Sequence, residues 1–283
     1  MNKKRILKYA SDIHLEMSSD TEHRPHVAAL YNFTPKPDHR YFLALCGDIG
    51  SMHTPALCSF LWKVSQRYEH VFLIAGNHEF YNPPRHDIKT MAQVKHEITE
   101  RCKQLPNVHF MDDTVFMLDE YKIIGSTLWS FVPEKQVNVV QAQLNDYHMI
   151  YVEDERTPGA KRLATVKDTN ILHERAVAFI KKEVAGASNC LLLTHHAPLF
   201  SIPEQNKHLC DPMYLNSPIN VAFHTDLDHL VRPPVLLWIF GHTHYTSKFI
   251  HNGVVVASNQ VGYDMRPRDY SITEEIELGF AKQ

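Results

Sequence analysis

No apolar run in this sequence approaches the roughly 20 residues needed to cross a bilayer, so a membrane-spanning helix is not expected. There is no Cys-x-x-Cys pair. The cysteines are an odd set of five, Cys46, Cys58, Cys102, Cys190 and Cys210, widely spaced along the chain. Cys46 and Cys190 sit inside apolar strand-like runs and read as small buried hydrophobes, which fits a reducing compartment. Positive charge is not in excess either: 29 Lys and Arg stand against 32 Asp and Glu. A net charge of −3 gives no general attraction to nucleic acid or anionic membrane. Neither an internal repeat nor a low-complexity segment is present. The first five residues are basic, but the apolar stretch behind them is too short for a secretory signal, and Asp12 interrupts it. The expectation is a cytoplasmic protein with neither a membrane nor a nucleic-acid partner.

What is present is an ordinary globular composition, 44% hydrophobic and 22% charged over 283 residues. A chain of this length buries about three-quarters of its unfolded surface. It reads as a single domain over 1–283. The unusual feature is 20 histidines, enough to look for metal-ligand spacing.

Short apolar runs recur, and they end alike. Tyr41 to Cys46 reads as a buried strand, and Gly47-Asp48-Ile49-Gly50 follows it. An anionic side chain at a strand end beside an apolar core needs a partner, and a carboxylate can bridge two cations. Alone, Asp48 would read as a helix N-cap. However, the strand at Ile6 to Ala10 runs into Asp12 and His14. Spaced by one residue, these point the same way if the segment is extended. Val71 to Ala75 runs into Gly76-Asn77-His78-Glu79, Cys190 to Thr194 into His195-His196, and Val235 to Phe240 into Gly241-His242-Thr243-His244. Oxygen and imidazole donors without thiolates suit Mn, Fe, Zn or Co, and their number suits two ions.

Helical spacing falls at 55–68, 87–105 and 169–184, with a short helix near Val27 to Tyr31. Strands are expected at 108–110, 114–118 and 121–125, and an edge strand at 271–278. Asn252-Gly253 marks a hairpin. Residues 131–167 read as an irregular, polar insertion folding over the site, and 199–218 as a long loop. Tyr81, Asn145, His148, Tyr245 and Arg266 are candidates for substrate contact.

The order Asp-x-His, Gly-Asp, Gly-Asn-His-Glu, His, Gly-His-x-His, spread from residue 12 to 244, resembles the calcineurin-like metallophosphoesterase superfamily. The resemblance implies a four-layer α/β/β/α sandwich, two mixed sheets flanked by helices, with a two-metal site at the strand ends. Asp12, His14, Asp48 and His244 would bind the first metal. Asn77, His195 and His242 would complete the second, with Asp48 bridging. The family's histidine directly follows its strand, which favours His195, with His196 the runner-up. The implied activity is hydrolysis of a phosphate mono- or diester by in-line attack of a metal-bridging hydroxide, with His78 as acid or transition-state donor. Glu79 is expected to orient His78 or to cap a helix, and Glu16 to order its loop.

Departures from the family pattern narrow the branch. The phosphate-binding arginine of the phosphoprotein phosphatases has no counterpart after Gly47-Asp48-Ile49-Gly50, and the tyrosine ligand of purple acid phosphatases is absent. The chain is similar to small intracellular esterases of the cyclic-nucleotide phosphodiesterase type, acting on a small phosphoester. The alternatives are a non-catalytic scaffold of this fold, against which the intact ligand set counts, and a repair nuclease, against which the absence of a basic stripe counts.

Overall fold

The computed structural model describes residues 3–17, 24–84, 86–263 and 269–279. In chain order the elements are β1 (Lys4–Ala10), α1 (Pro25–Ala28), β2 (His39–Cys46), α2 (Ala56–Ser65), β3 (His70–Ile74), α3 (Met91–Cys102), β4 (Val108–Phe110), β5 (Thr114–Leu118), β6 (Tyr121–Ser126), α4 (Val137–Gln143), α5 (Asp146–Met149), β7 (Tyr151–Glu153), β8 (Lys161–Leu163), α6 (Val166–Val184), β9 (Cys190–Thr194), β10 (Ser201–Ile202), β11 (Lys207–His208), β12 (Val235–Ile239), β13 (Ser247–His251), β14 (Val254–Ser258) and β15 (Glu275–Glu277). One sheet has the order β15-β1-β2-β3-β4, parallel except for β15. The other has the order β13-β14-β12-β9-β6-β5, with a parallel centre and the antiparallel edges β13 and β5.

Side-chain alternation explains the layering. On β2, Phe42, Ala44 and Cys46 face one way and Leu43 and Leu45 the other, and all are fully buried. The first set meets Leu191, Leu193, Leu237 and Ile239 of the second sheet, forming the central layer of core. Leu43 and Leu45 pack under Leu57, Phe60 and Val64 of α2 and Val94 and Ile98 of α3. On the far side Leu192, Trp238 and Val256 pack under Ala176 and Ile180 of α6. This is the expected four-layer sandwich of two mixed sheets flanked by helices. Burying each such side chain stabilises the fold by about 1.5–3 kcal/mol. Among the described residues no helix is long and apolar enough to cross a membrane.

Several bounds differ from the sequence expectation, for local reasons. The helix expected over 87–105 is α3, which starts at a capping box. Gln93 N donates to Thr90 Oγ1 at 3.3 Å and Thr90 N to Gln93 Oε1 at 2.9 Å. The helix expected over 55–68 is α2, 56–65, and the one expected from 169 begins at Val166, where Asp168 accepts from Thr165 N at 2.8 Å. The segment 131–167 is not irregular. It holds α4, α5 and the β7–β8 pair, and Val132, Val140, Tyr147 and Val166 form a small core of their own with Ala222. Elements of seven residues or fewer carry no period long enough to read. The loop 199–218 likewise includes the β10–β11 pair, and the last edge strand is confined to β15. The hairpin at Asn252-Gly253 is present, with φ of 49° and 81° at the two residues.

Candidate metal centre

Parallel strands put their C-terminal ends on one edge, and the two sheets bring theirs together. Five of the residues at these ends adopt left-handed backbone: Asp12 (φ 56°), His14 (52°), Asp48 (54°), His242 (70°) and His244 (49°). Each such residue costs about 1–2 kcal/mol unless its surroundings enforce it. Asp12 and His14 therefore converge through a turn, not through the strand alternation expected from their spacing. Their loop is tied to the next one, with Asp12 N donating to Gly47 O at 3.0 Å and His14 N to Asp48 O at 2.9 Å. Two glycines permit the close approach. A Cβ on Gly47 (φ 85°) would lie 2.2 Å from His195 Nδ1, and one on Gly76 would lie 2.1 Å from Asp48 Oδ1. Asp48 is not a helix cap, because α2 begins at Ala56 behind Pro55.

The converging side chains form three overlapping groups, each with ligand atoms within 4.8 Å of one another: Asp12, His14 and His244; His14, Asp48 and His78; Asp48, His195 and His242. Asp48 belongs to two of them. His195 Nδ1 donates to Cys46 O at 2.9 Å, so in the neutral ring Nε2 carries a lone pair. That lone pair faces Asn77 Oδ1 at 3.1 Å and Asp48 Oδ1 at 3.4 Å. Three acceptors pointing at one another require a proton or a cation between them. His14 Nε2 and His244 Nε2 face each other at 3.2 Å, and the buried His242 Nε2 has no hydrogen-bond partner among the described residues. The donor set therefore fits metal ions. His195 is the member of the pair that joins the cluster. Its neighbour His196 turns Nδ1 to Thr127 O at 3.2 Å and packs on the His242 ring at 4.1 Å.

A model of the calcineurin-like phosphoesterase family matches residues 8–246. The chain belongs to this family. Membership makes it a metal-dependent phosphoesterase. Protein L509 of Acanthamoeba polyphaga mimivirus is similar to it, 36% identical over 268 residues that cover 94% of each chain. Among solved structures, the phosphopantetheinyl hydrolase of Mycobacterium tuberculosis is similar in fold, with a TM-score of 0.71 over 98% of this chain and 97% of that one, at 18% identity.

Around the phosphoesterase centre the structure adds residues that sequence reasoning assigned differently or missed. Glu79 neither orients His78 nor caps a helix. Its carboxylate is 1% exposed and accepts four backbone N–H groups: Asp48 at 3.0 Å, Ile49 at 2.7 Å, Gly50 at 3.1 Å and Gly76 at 2.6 Å. Glu16 does more than order a loop. Its Oε1 faces His14 Nδ1 at 3.2 Å and His78 Nδ1 at 3.1 Å. Asp146 on α5 was missed, since a lone Asp in a polar stretch carries no signal. It accepts from Asn77 Nδ2 at 2.7 Å and Tyr81 Oη at 2.6 Å. Tyr263 was also missed, and its Oη lies 3.0 Å from His78 Nε2.

Beside these groups opens a cavity of about 430 Å³. Its metal-side wall includes Asp48, Asn77, His78 and His242. Its lining also includes Leu144, Asn145, Asp146, Tyr214, Ile219, Asn220 and Phe223, with no Lys or Arg among the described residues. Of the candidate substrate contacts, Tyr81 and Asn145 line it. His148 instead lies on the exposed side of α5, with Nε2 3.2 Å from Ala142 O. Tyr245 is not part of the lining, and its carbonyl accepts from Gln260 Nε2 at 3.0 Å. Arg266 lies outside the described residues.

The charges are mutually adjusted. Burial opposes charge on His78 and His195, but Asp48, joined by Glu16 at His78 and by Asp12 at His195, outweighs it and holds both up to about 9. Burial also raises Asp48, yet His195 and His78 keep it well below the usual carboxylate range. His242 is pushed well below the ordinary imidazole range by burial and then by His196 and His195, which leaves it a neutral donor. Burial, with the Asp48 charge adding to it, raises Glu79 to about 7.

Proposed function

We propose that this phosphoesterase works with two cations: Asp12, His14, Asp48 and His244 hold one, and Asp48, Asn77, His195 and His242 hold the other. The observation that carries this reading is the position of Asp48, whose carboxylate falls in one group with His14 and His78 and in another with His195 and His242. Manganese, iron, zinc and cobalt all suit the nitrogen and oxygen donors. Two such ions supply charge stabilisation at the phosphoryl group and an ionised water near neutral pH for in-line attack.

The chain's own residues do the rest. Backbone N–H groups fix the carboxylates: His78 N donates to Asp48 Oδ1 at 2.9 Å, and His242 N to the Asp12 carboxylate at 3.0 and 3.1 Å. His78 donates from Nδ1 to Glu16, and because Asp48 and Glu16 hold the ring up to about 9 the imidazolium also carries a proton on Nε2, which can pass to the leaving oxygen. Among the described residues Nε2 pairs with the Tyr263 hydroxyl, a group that substrate can displace because Tyr263 is 56% exposed. The side chain of the ester lies against carboxamides and apolar groups, with the Asp146 carboxylate beside them and no Lys or Arg among the described lining residues. That wall suits an uncharged, amide-bearing or aliphatic group better than a chain of further phosphates. A phosphopantetheinyl ester, named for the Mycobacterium tuberculosis neighbour, has this character and is the first physiological candidate. Residues 131–167 act as a specificity element of one 1–283 domain, since α4 and α5 bring Gln143 to Asp146 to the cavity. The five free cysteines support a reducing compartment such as the cytoplasm. A scaffold without activity has no supporting observation here, because every expected ligand reaches the centre.

The test is metal-stripped protein reloaded with Mn, Fe, Zn or Co and assayed on a nitrophenyl phosphate and its bis-ester. Faster turnover of the bis-ester indicates a phosphodiesterase, and faster monoester turnover a phosphatase. Asp48→Ala is expected to abolish metal-dependent turnover of both, and undiminished turnover would sink the reading. His195→Ala is expected to lose one of the two ions and His196→Ala to keep both.

A further inference from the structure

An asparagine ligand has an orientation problem that a carboxylate does not. It binds a cation through Oδ1, and a half-turn of its amide presents an NH2 group instead. In this protein the orientation is decided from outside the centre. Asn77 Nδ2 is 2.7 Å from Asp146 Oδ1 and 3.0 Å from Tyr81 Oη. Tyr81 Oη spends its hydrogen on the same Asp146 oxygen at 2.6 Å, so towards Asn77 it acts as an acceptor. Asn77 Nδ2 thus meets two acceptors, and a flipped amide would set Oδ1 against a buried carboxylate. Oδ1 is left facing His195 Nε2 at 3.1 Å. Asp146 is 5% exposed and belongs to α5, so this constraint comes from the 131–167 segment.

We infer that Asp146 is a positioning residue that fixes the amide of Asn77 and thereby sets the affinity of the ion held with His195 and His242. The inference rests on the two-cation reading. It makes α5 part of the metal centre and not only a cover over it. Residues that orient a ligand in this way typically govern 10–100-fold in metal affinity.

The test measures manganese stoichiometry and affinity on metal-stripped protein, together with its unfolding temperature. In Asp146→Asn the new side chain can donate to a flipped Asn77, so the orientation is no longer fixed. One of the two ions is expected to bind about 10–100-fold more weakly. The other should be unchanged, and the unfolding temperature of the metal-free protein should stay close to wild type. Asn77→Asp alone sets two carboxylates against each other and should also weaken that ion. The double variant Asn77→Asp, Asp146→Asn pairs a symmetric ligand with a new donor and should regain affinity lost in each single variant. Unchanged affinity in Asp146→Asn, or a double variant no better than the weaker single one, overturns the inference. Wild type taking up one ion instead of two overturns the two-cation reading, and Asp146 is then judged by whether Asp146→Asn weakens that ion.

Discussion

Replacing Glu79 by glutamine keeps its size and removes its charge. The two carboxylate oxygens each accept two backbone N–H groups, Ile49 and Gly50 on one and Asp48 and Gly76 on the other. A glutamine has one oxygen and one NH2. Whichever way it turns, two buried N–H groups face a donor. A hydrogen bond to a charged group contributes about 1.5–3 kcal/mol, so losing two costs about 3–6 kcal/mol, partly offset because glutamine escapes the penalty that burial and Asp48 place on the Glu79 charge. That is a large share of the 5–15 kcal/mol that holds a typical domain folded. For a chain of this size it corresponds to at most about 5–10 °C in unfolding temperature. The measurement is thermal unfolding of the metal-free protein at pH 8, where the carboxylate is ionised and no ion contributes. Glu97→Gln, which breaks a surface pair with Lys89 at 2.7 Å, is the control and should barely move the transition. Turnover of reloaded Glu79→Gln should fall as well, because the same N–H groups hold Asp48 in its left-handed conformation. An unfolding temperature within about 2 °C of wild type would refute the four-amide account.

His78→Gln is expected to cut turnover by about 10²–10⁴-fold with both ions still bound, as read by metal analysis beside the assay. An unchanged rate removes His78 from proton transfer. Away from the centre, burial pushes His109 and His224 down to about 4, below the value of about 6.5 that they have in the unfolded chain. The unfolded chain then binds protons that the folded chain refuses, so these two groups lower stability as pH falls from about 6.5 towards 4. The urea midpoint of metal-free protein should drop across that range, and His224→Phe should flatten the drop. Equal slopes in the two proteins would count against it.

How much of this was readable in advance depended on whether a residue's role was local. The strand ends were legible because apolar runs of five or six residues stop abruptly at Asp, Asn or His, a recurrence that pointed to ligand roles. The choice of His195 over His196 could be argued from adjacency to the strand, but it is the Cys46 carbonyl, 149 residues away in the chain, that holds His195 in its ligand tautomer. The role of Glu79 was misjudged because its partners are backbone amides, which leave no trace in side-chain identity. The convergence of Asp12 and His14 was assigned to strand alternation. It depends instead on a left-handed turn, which neither residue type announces.

By itself the sequence determined the chemistry: which donor atoms are available, that they sit at strand ends, and that wholly apolar strands need cover on both faces; the two-sheet sandwich was implied by the family resemblance. Spacing and hydrophobic pattern are properties of the chain and survive without coordinates. Only the tertiary structure decided which atoms meet. It set Asp48 between two ligand groups, brought Asp146 from a separate segment onto Asn77, and closed a wall from residues 144 and 214–223 over the site. Those contacts join residues far apart in sequence. Their energies depend on distance and orientation in space, which no local pattern encodes.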